Sequence, residues 1–154
     1  MGQGERLLTA NLLEATFPGL ARGAYTVTSP RSQQYNCIAW AAGDASNWWW
    51  PGPNLEAEYW PAAVARVETL DAFQAVFASL RYVVCESGDV EPGFEKVAIF
   101  ADNNNAPKHA ARQLPNGRWT SKIGALEDIE HALRDLEGEE YGSVVVFMKR
   151  AISP

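Results

Sequence analysis

Two residue types in this 154-residue chain support nucleophilic chemistry in combination: cysteine, at positions 37 and 85, and histidine, at 109 and 131. A thiol attacks as its thiolate. It needs a base that takes its proton and later returns one to the leaving group, and a third polar group to orient that base. Cys37 lies near the start of Tyr35-Asn36-Cys37-Ile38-Ala39-Trp40-Ala41-Ala42, a run of good helix formers that stops before Gly43-Asp44. The thiol is therefore expected at a helix N-terminus, where unpaired N–H groups and the positive end of the helix dipole lower a thiol pKa and stabilise an oxyanion. With a histidine partner the drop is about two units, worth roughly 2.7 kcal/mol, which predicts a thiolate largely ionised at neutral pH.

His109 opens a run of strand character, HAARQL, that Pro115-Asn116-Gly117 joins to RWTSKIG. Asn-Gly between short alternating runs signals a hairpin, and counting through the turn puts Ser121 and Lys122 alongside His109, where an orienting group belongs. A serine hydroxyl accepts only weakly from imidazole, and a charged lysine accepts nothing. The predicted catalytic set is Cys37, His109 and Ser121. Three consecutive tryptophans, Trp48, Trp49 and Trp50, cannot all point inward, so at least one is expected to wall a surface or groove after the thiol. Tyr35 and Gln34, just before the thiol, complete the substrate-binding candidates.

Other candidates receive structural readings. Cys85 shares a strand with Tyr82 and Val84 and is expected to be inert. His131 falls on the polar side of a predicted helix, away from Leu126, Ile129 and Leu133, and is expected to be solvated. Asp102-Asn103-Asn104-Asn105 lacks the glycine and the final acid of a calcium loop, having Pro107 and Gln113 there, and reads as a turn. Gly2-Gln3-Gly4 follows no strand and is no phosphate loop. No cofactor or metal is expected.

The elements that must position these residues follow from pattern. Residues 5–16 read as a short helix, followed by a loop to Tyr35 and the Cys37 helix. After a break from Asn47 to Pro61, Thr69 caps a helix to about Leu80 with Phe73, Val76, Phe77 and Leu80 on one face. Residues 81–87, 95–101, 109–114 and 118–124 read as strands, 125–137 as an amphipathic helix and 142–150 as a last strand. The expectation is one α+β domain, a nucleophile helix packed on a mostly antiparallel sheet.

Composition narrows the partners. Hydrophobic residues make up 47% of the chain, enough for a core, and 19 acidic against 13 basic residues give a charge of −6. Without a basic run to track a phosphate backbone, a nucleic-acid partner is not expected. Nothing approaches the roughly 18 unbroken apolar residues of a membrane span, and the N-terminus has no signal-peptide pattern. A soluble, cytoplasmic protein is expected, acting on a peptide or amide-containing substrate, with its oligomeric state open.

The run Tyr35-Asn36-Cys37-Ile38-Ala39 resembles the aromatic, Asp/Asn, Cys, small-residue motif of the NlpC/P60 branch of papain-like hydrolases. That branch has its histidine at the start of the next strand and its third polar residue on the neighbouring hairpin strand, as His109 and Ser121 would be. The longer set YNCIAWA, KHAARQL, NGRW and SKIG also resembles an uncharacterised bacterial family assigned to that fold. The resemblance spans roughly residues 30–124 and implies a papain-like fold with cysteine peptidase or amidase activity. A deamidase or acyltransferase on the same site, and a non-catalytic binding module using the Trp48 to Trp50 region, are its alternatives.

Overall fold

The computed structural model describes residues 12–152. Residues 12–16 are helical; the remainder of the helix expected over 5–16, and Gly2-Gln3-Gly4, lie outside the described residues.

Seven strands form one sheet. They are β1 (Thr26–Ser29), β2 (Val83–Cys85), β3 (Phe94–Ala101), β4 (Pro107–Gln113), β5 (Trp119–Lys122), β6 (Asp128–His131) and β7 (Ser143–Ala151). Their order is β1-β6-β5-β4-β3-β7-β2, and every neighbouring pair is antiparallel. The β4–β5 hairpin turns where expected: Leu114 and Arg118 close it, and Gly117 takes φ +86, which a residue with a Cβ adopts only with strain. The helices are α1 (Pro18–Arg22), α2 (Cys37–Ala42) and α3 (Leu70–Ser79), with a 3-10 turn at Leu133–Leu136. Helix α3 begins as expected, the Thr69 hydroxyl accepting from the Ala72 N–H.

Each face of the sheet carries its own apolar cluster. On one, Val97, Ile99, Ala110 and Met148 pack under α2 and α3, against Ile38, Phe73, Val76, Phe77 and Trp60. On the other, Ala98, Phe100, Ala111, Trp119 and Ile129 pack against Leu13, Phe17, Leu20, Leu136 and Tyr141. Residues 97–101 are therefore buried without alternation, since side chains pointing either way meet a core.

Two expectations are overturned. The papain-like (NlpC/P60-like) α+β fold is not what forms: the described chain is mostly a seven-stranded antiparallel sheet with a few short helices, and α2 has only six residues. Residues 125–137 are not an amphipathic helix but strand β6 followed by the 3-10 turn. Strand β6 is interior, bonded to β1 on one side and β5 on the other, and it buries Asp128, Ile129 and His131. Its buried polar residues find partners inside, so a segment that reads as half-solvated in sequence is enclosed in fact. Strand β1 forms where the sequence predicts a loop: Gly, Pro and Ser flank its β-branched core, and pairing with β6 supplies the strand. Among the described residues, no helix is long and apolar enough to cross a membrane.

Candidate active site around Cys37 and His109

Asn36 fixes the start of α2. Its Oδ1 accepts from the Ala39 N–H (3.2 Å), capping the helix, and from the Trp49 N–H (3.0 Å), while its Nδ2 donates to the Trp49 carbonyl (2.8 Å). One buried side chain thus ties the thiol's helix to the tryptophan loop. At the other end Gly43 closes the helix in the left-handed region, φ +91. Trp40 Nε1 donates to Thr120 Oγ1 (2.9 Å) and Arg112 lies over the Trp40 ring, holding α2 to β4 and β5.

Cys37 is buried, and burial pushes its thiol up to about 11. The N–H groups of Ala110, Ile38 and Cys37 itself, and the charge of Lys122, pull the other way without overcoming it. The thiolate expected at neutral pH is therefore not the resting state, because a six-residue helix offers less than desolvation removes. Neither Cys37 nor Cys85 is in a disulfide.

His109 is fully buried on β4 and stacks on Tyr141, ring centroids 4.1 Å apart and 7° from parallel, with Phe100 edge-on at 5.1 Å. The turn that presents Tyr141 depends on Gly142, at φ +71, where a Cβ would lie 2.0 Å from the Ala101 carbonyl oxygen. The β4–β5 ladder pairs Arg112 with Thr120 and Gln113 with Trp119; closer to the mouth a side-chain bond joins the strands, His109 Nε2 to Ser121 Oγ at 2.9 Å. Ser121 Oγ also lies 2.8 Å from Nε2 of the buried His131, whose Nδ1 lies 2.7 Å from the Ala132 carbonyl.

That last contact sets the polarity of the whole chain. A carbonyl only accepts, so His131 carries its proton on Nδ1. Burial lowers His131 to about 4, leaving Nε2 bare, and Ser121 must donate to it. Ser121 then accepts from His109 Nε2–H. Desolvation first, then the neighbouring His131, holds His109 well below 6.5, so its Nδ1 is a bare lone pair. This buried Nδ1 has no hydrogen-bond partner among the described residues. Cys37 and His109 are accordingly not hydrogen-bonded to each other. The thiol packs with Ala110 in one cluster, and His109, the preceding residue, turns to the other.

The two sides meet at the mouth of β4. A pocket of about 310 Å³ is lined by Asn36, Cys37, Trp48, Trp50, Lys108, Gly124 and Tyr141. Trp48 and Trp50 are half-buried on its wall, whereas Trp49 belongs to the core, its Nε1 donating to Asp44 Oδ2 (2.8 Å). Of the other binding candidates, Gln34 is exposed and outside the lining, and Tyr35 is buried with its hydroxyl on Asp128 Oδ2 (2.8 Å). Cys85 lies on β2 at the sheet's far edge. The Asp102 segment is a turn, Asp102 Oδ1 accepting from the Asn104 and Ala106 N–H groups. No acidic, histidine and cysteine cluster among the described residues is fit to hold a metal.

Sequence reasoning missed His131, Tyr141 and the clasp made by Asn36. Only the last left a signal, an Asn immediately before a helix-forming run. His131 is not solvated but sits at the closed end of the histidine chain.

Fold and site together define a class: an antiparallel-sheet domain with a buried thiol on an aromatic-walled pocket and a buried histidine–serine–histidine chain behind Tyr141, which lines the same pocket. Residues 26–149, from β1 into β7, match the family described as a domain of unknown function (DUF7689), and the chain belongs to that family. No curated protein and no solved structure matches it.

Proposed function

We propose that the protein is a cysteine hydrolase, a peptidase or amidase that forms an acyl-enzyme on Cys37 with His109 as general base and then acid. The observation that carries this reading is the buried, unpartnered Nδ1 of His109. An orphaned acceptor costs about 1–3 kcal/mol, a cost without return in a purely structural histidine. As the sulfur attacks the substrate carbonyl carbon, the thiol proton passes to Nδ1. The tetrahedral intermediate collapses with loss of the amine, which takes that proton. Water then attacks the thioester, giving its proton to Nδ1, and the carboxylic acid leaves as Cys37 regains the thiol. Ser121 and His131 support the positive charge that develops on His109. Thiol and imidazole must close to hydrogen-bond distance when substrate enters, as catalytic pairs that are loose without substrate do. Two free thiols suit a reducing compartment, and a cytoplasmic setting is part of the proposal.

Incubation with p-nitrophenyl esters of graded acyl length, followed by peptide mass spectrometry, tests it. The expected result is an acyl adduct on the Cys37 peptide, absent in Cys37→Ala and slowed about 10²-fold or more in His109→Ala. Equal acylation of Cys37 and Cys85, or a Cys37 rate unmoved by His109→Ala, overturns it. A binding module is the second reading, favoured by the missing thiol–imidazole bond. It predicts ligand retention in the aromatic pocket with no adduct.

A further inference from the structure

Lys122 is fully buried, at 0% exposure. Both hydrogen bonds of its ammonium go to neutral carbonyl oxygens, Ser32 at 2.8 Å and Gly124 at 2.6 Å, and the Tyr35 ring lies 4.8 Å beneath it. Ser32 and Tyr35 belong to the segment that leads into Cys37, and Gly124 lines the pocket with Cys37. The ammonium therefore bridges the two chain segments that flank the thiol. A lysine that served only as a tie would be replaced without loss by a neutral donor, whereas burying a full positive charge is costly unless another charge uses it.

We propose that Lys122 is the counter-charge of the Cys37 thiolate, a positioning residue that makes ionisation of the buried sulfur possible. The charged groups around it come from each packed element. Asp128 on β6, held by the Tyr35 and Thr28 hydroxyls, and Glu127 just before it face the ammonium, with Arg31 3.6 Å from Glu127. Asp128 is engaged by the Tyr35 and Thr28 hydroxyls and Glu127 by Arg31, and α2 adds Cys37 as the titratable group. Burial brings Lys122 down to about 8, with Asp128, Cys37 and Glu127 holding its proton on, so the ammonium is mostly charged at neutral pH. The proposal rests on Cys37 being the reacting group and not on the bond it attacks. A protein without hydrolytic activity would still show it.

The test is the rate of iodoacetamide alkylation of the Cys37 peptide from pH 6.5 to 10, with Cys85 as internal reference. Below the thiol's own midpoint the rate follows the thiolate fraction. Lys122→Met is expected to slow Cys37 about tenfold at pH 7 while leaving Cys85 unchanged, and Lys122→Arg, always charged, to restore it. The logarithm of the wild-type rate is expected to flatten around pH 8, as the lysine gives up its charge, and that of the arginine variant to rise without a step. A Cys37 rate unchanged in Lys122→Met, or equally slow in Lys122→Arg, overturns the proposal. Should a lysine variant fail to fold, the wild type alone decides: side-chain NMR titration gives the Lys122 midpoint, and the Cys37 alkylation profile must flatten at that same pH. Loss of the ammonium charge and loss of the gain in thiolate are one event under the proposal. A rate that rises through the lysine midpoint without a step overturns the proposal.

Discussion

Tyr141 lies face to face with His109, 4.1 Å away and nearly parallel, and the same tyrosine lines the pocket that holds Cys37. The ring is thus both the lid on the base and part of the wall seen by a ligand. Burial, with the nearby Cys37 and Glu140, holds its hydroxyl well above 10, so it stays protonated in the working range. Tyr141→Phe keeps the stack and is expected to stay within about 1 kcal/mol of wild-type stability with Cys37 acylation retained. Tyr141→Ala opens a cavity beside His109 and is expected to cost about 3 kcal/mol in urea unfolding, with acylation lost.

Removing the hydroxyl between the two imidazoles has a different signature. Ser121→Ala leaves Nε2 of His109 and Nε2 of His131 facing each other without a partner. A loss of about 2 kcal/mol in denaturant stability is expected, because buried groups are stranded. The Cys37 acylation rate is expected to fall about 10²-fold, since nothing then holds the His109 tautomer. A stability loss without a rate loss would assign Ser121 to packing alone.

Both histidines predict acid sensitivity. Each is held neutral in the fold, His131 at about 4 and His109 well below 6.5, while the unfolded chain takes up these protons near 6.5. Where the unfolded state binds more protons, stability rises with pH. Their contribution is therefore complete above pH 6.5 and is lost as the pH falls toward 4 and, for His109, beyond. For His131 the gap corresponds to about 3 kcal/mol. Urea midpoints from pH 7 to 4 are expected to fall steeply, and the slope to shrink in His131→Gln.

Asn36 is expected to be the most costly polar residue on α2. Asn36→Ala deletes the helix cap and strands the Trp49 N–H and carbonyl, a combined loss of about 3 kcal/mol. Asn36→Asp keeps both acceptor bonds but sets a buried carboxylate against the Trp49 carbonyl, and is expected to cost at least as much. Tryptophan fluorescence should report the wider loosening in the alanine variant, since the loop bearing Trp48 and Trp50 hangs on this clasp.

What could be read from sequence depended on whether local chemistry and the final environment agreed. The Thr69 cap and the Asn-Gly turn are decided within a few residues; of the two residues the hairpin count sets alongside His109, Ser121 reaches it from off direct register, while Lys122 turns to the Ser32 and Gly124 carbonyls. The ALEDIEHALRDLE segment failed because apolar spacing that fits a helix also fits a strand followed by a 3-10 turn, and the choice was made by β1 and β5 on either side. With it went His131, whose burial exists only once β6 is interior. The thiol's ionisation was misjudged for a similar reason. Its place at a helix start is local, whereas the desolvation that outweighs it comes from α3, the tryptophan loop and the sheet together.

The closed histidine–serine–histidine chain has an evolutionary consequence. Losing any one member strands the others, yet exchanging all three together for apolar residues of similar volume would remove every stranded atom at once, a change that is commonly neutral or stabilising. A lineage that no longer used this chemistry would have an easy route to a firmer, inert sheet, but only by crossing less stable single-substitution intermediates. The network is thus a ratchet: costly to dismantle piecemeal, and informative wherever it persists intact.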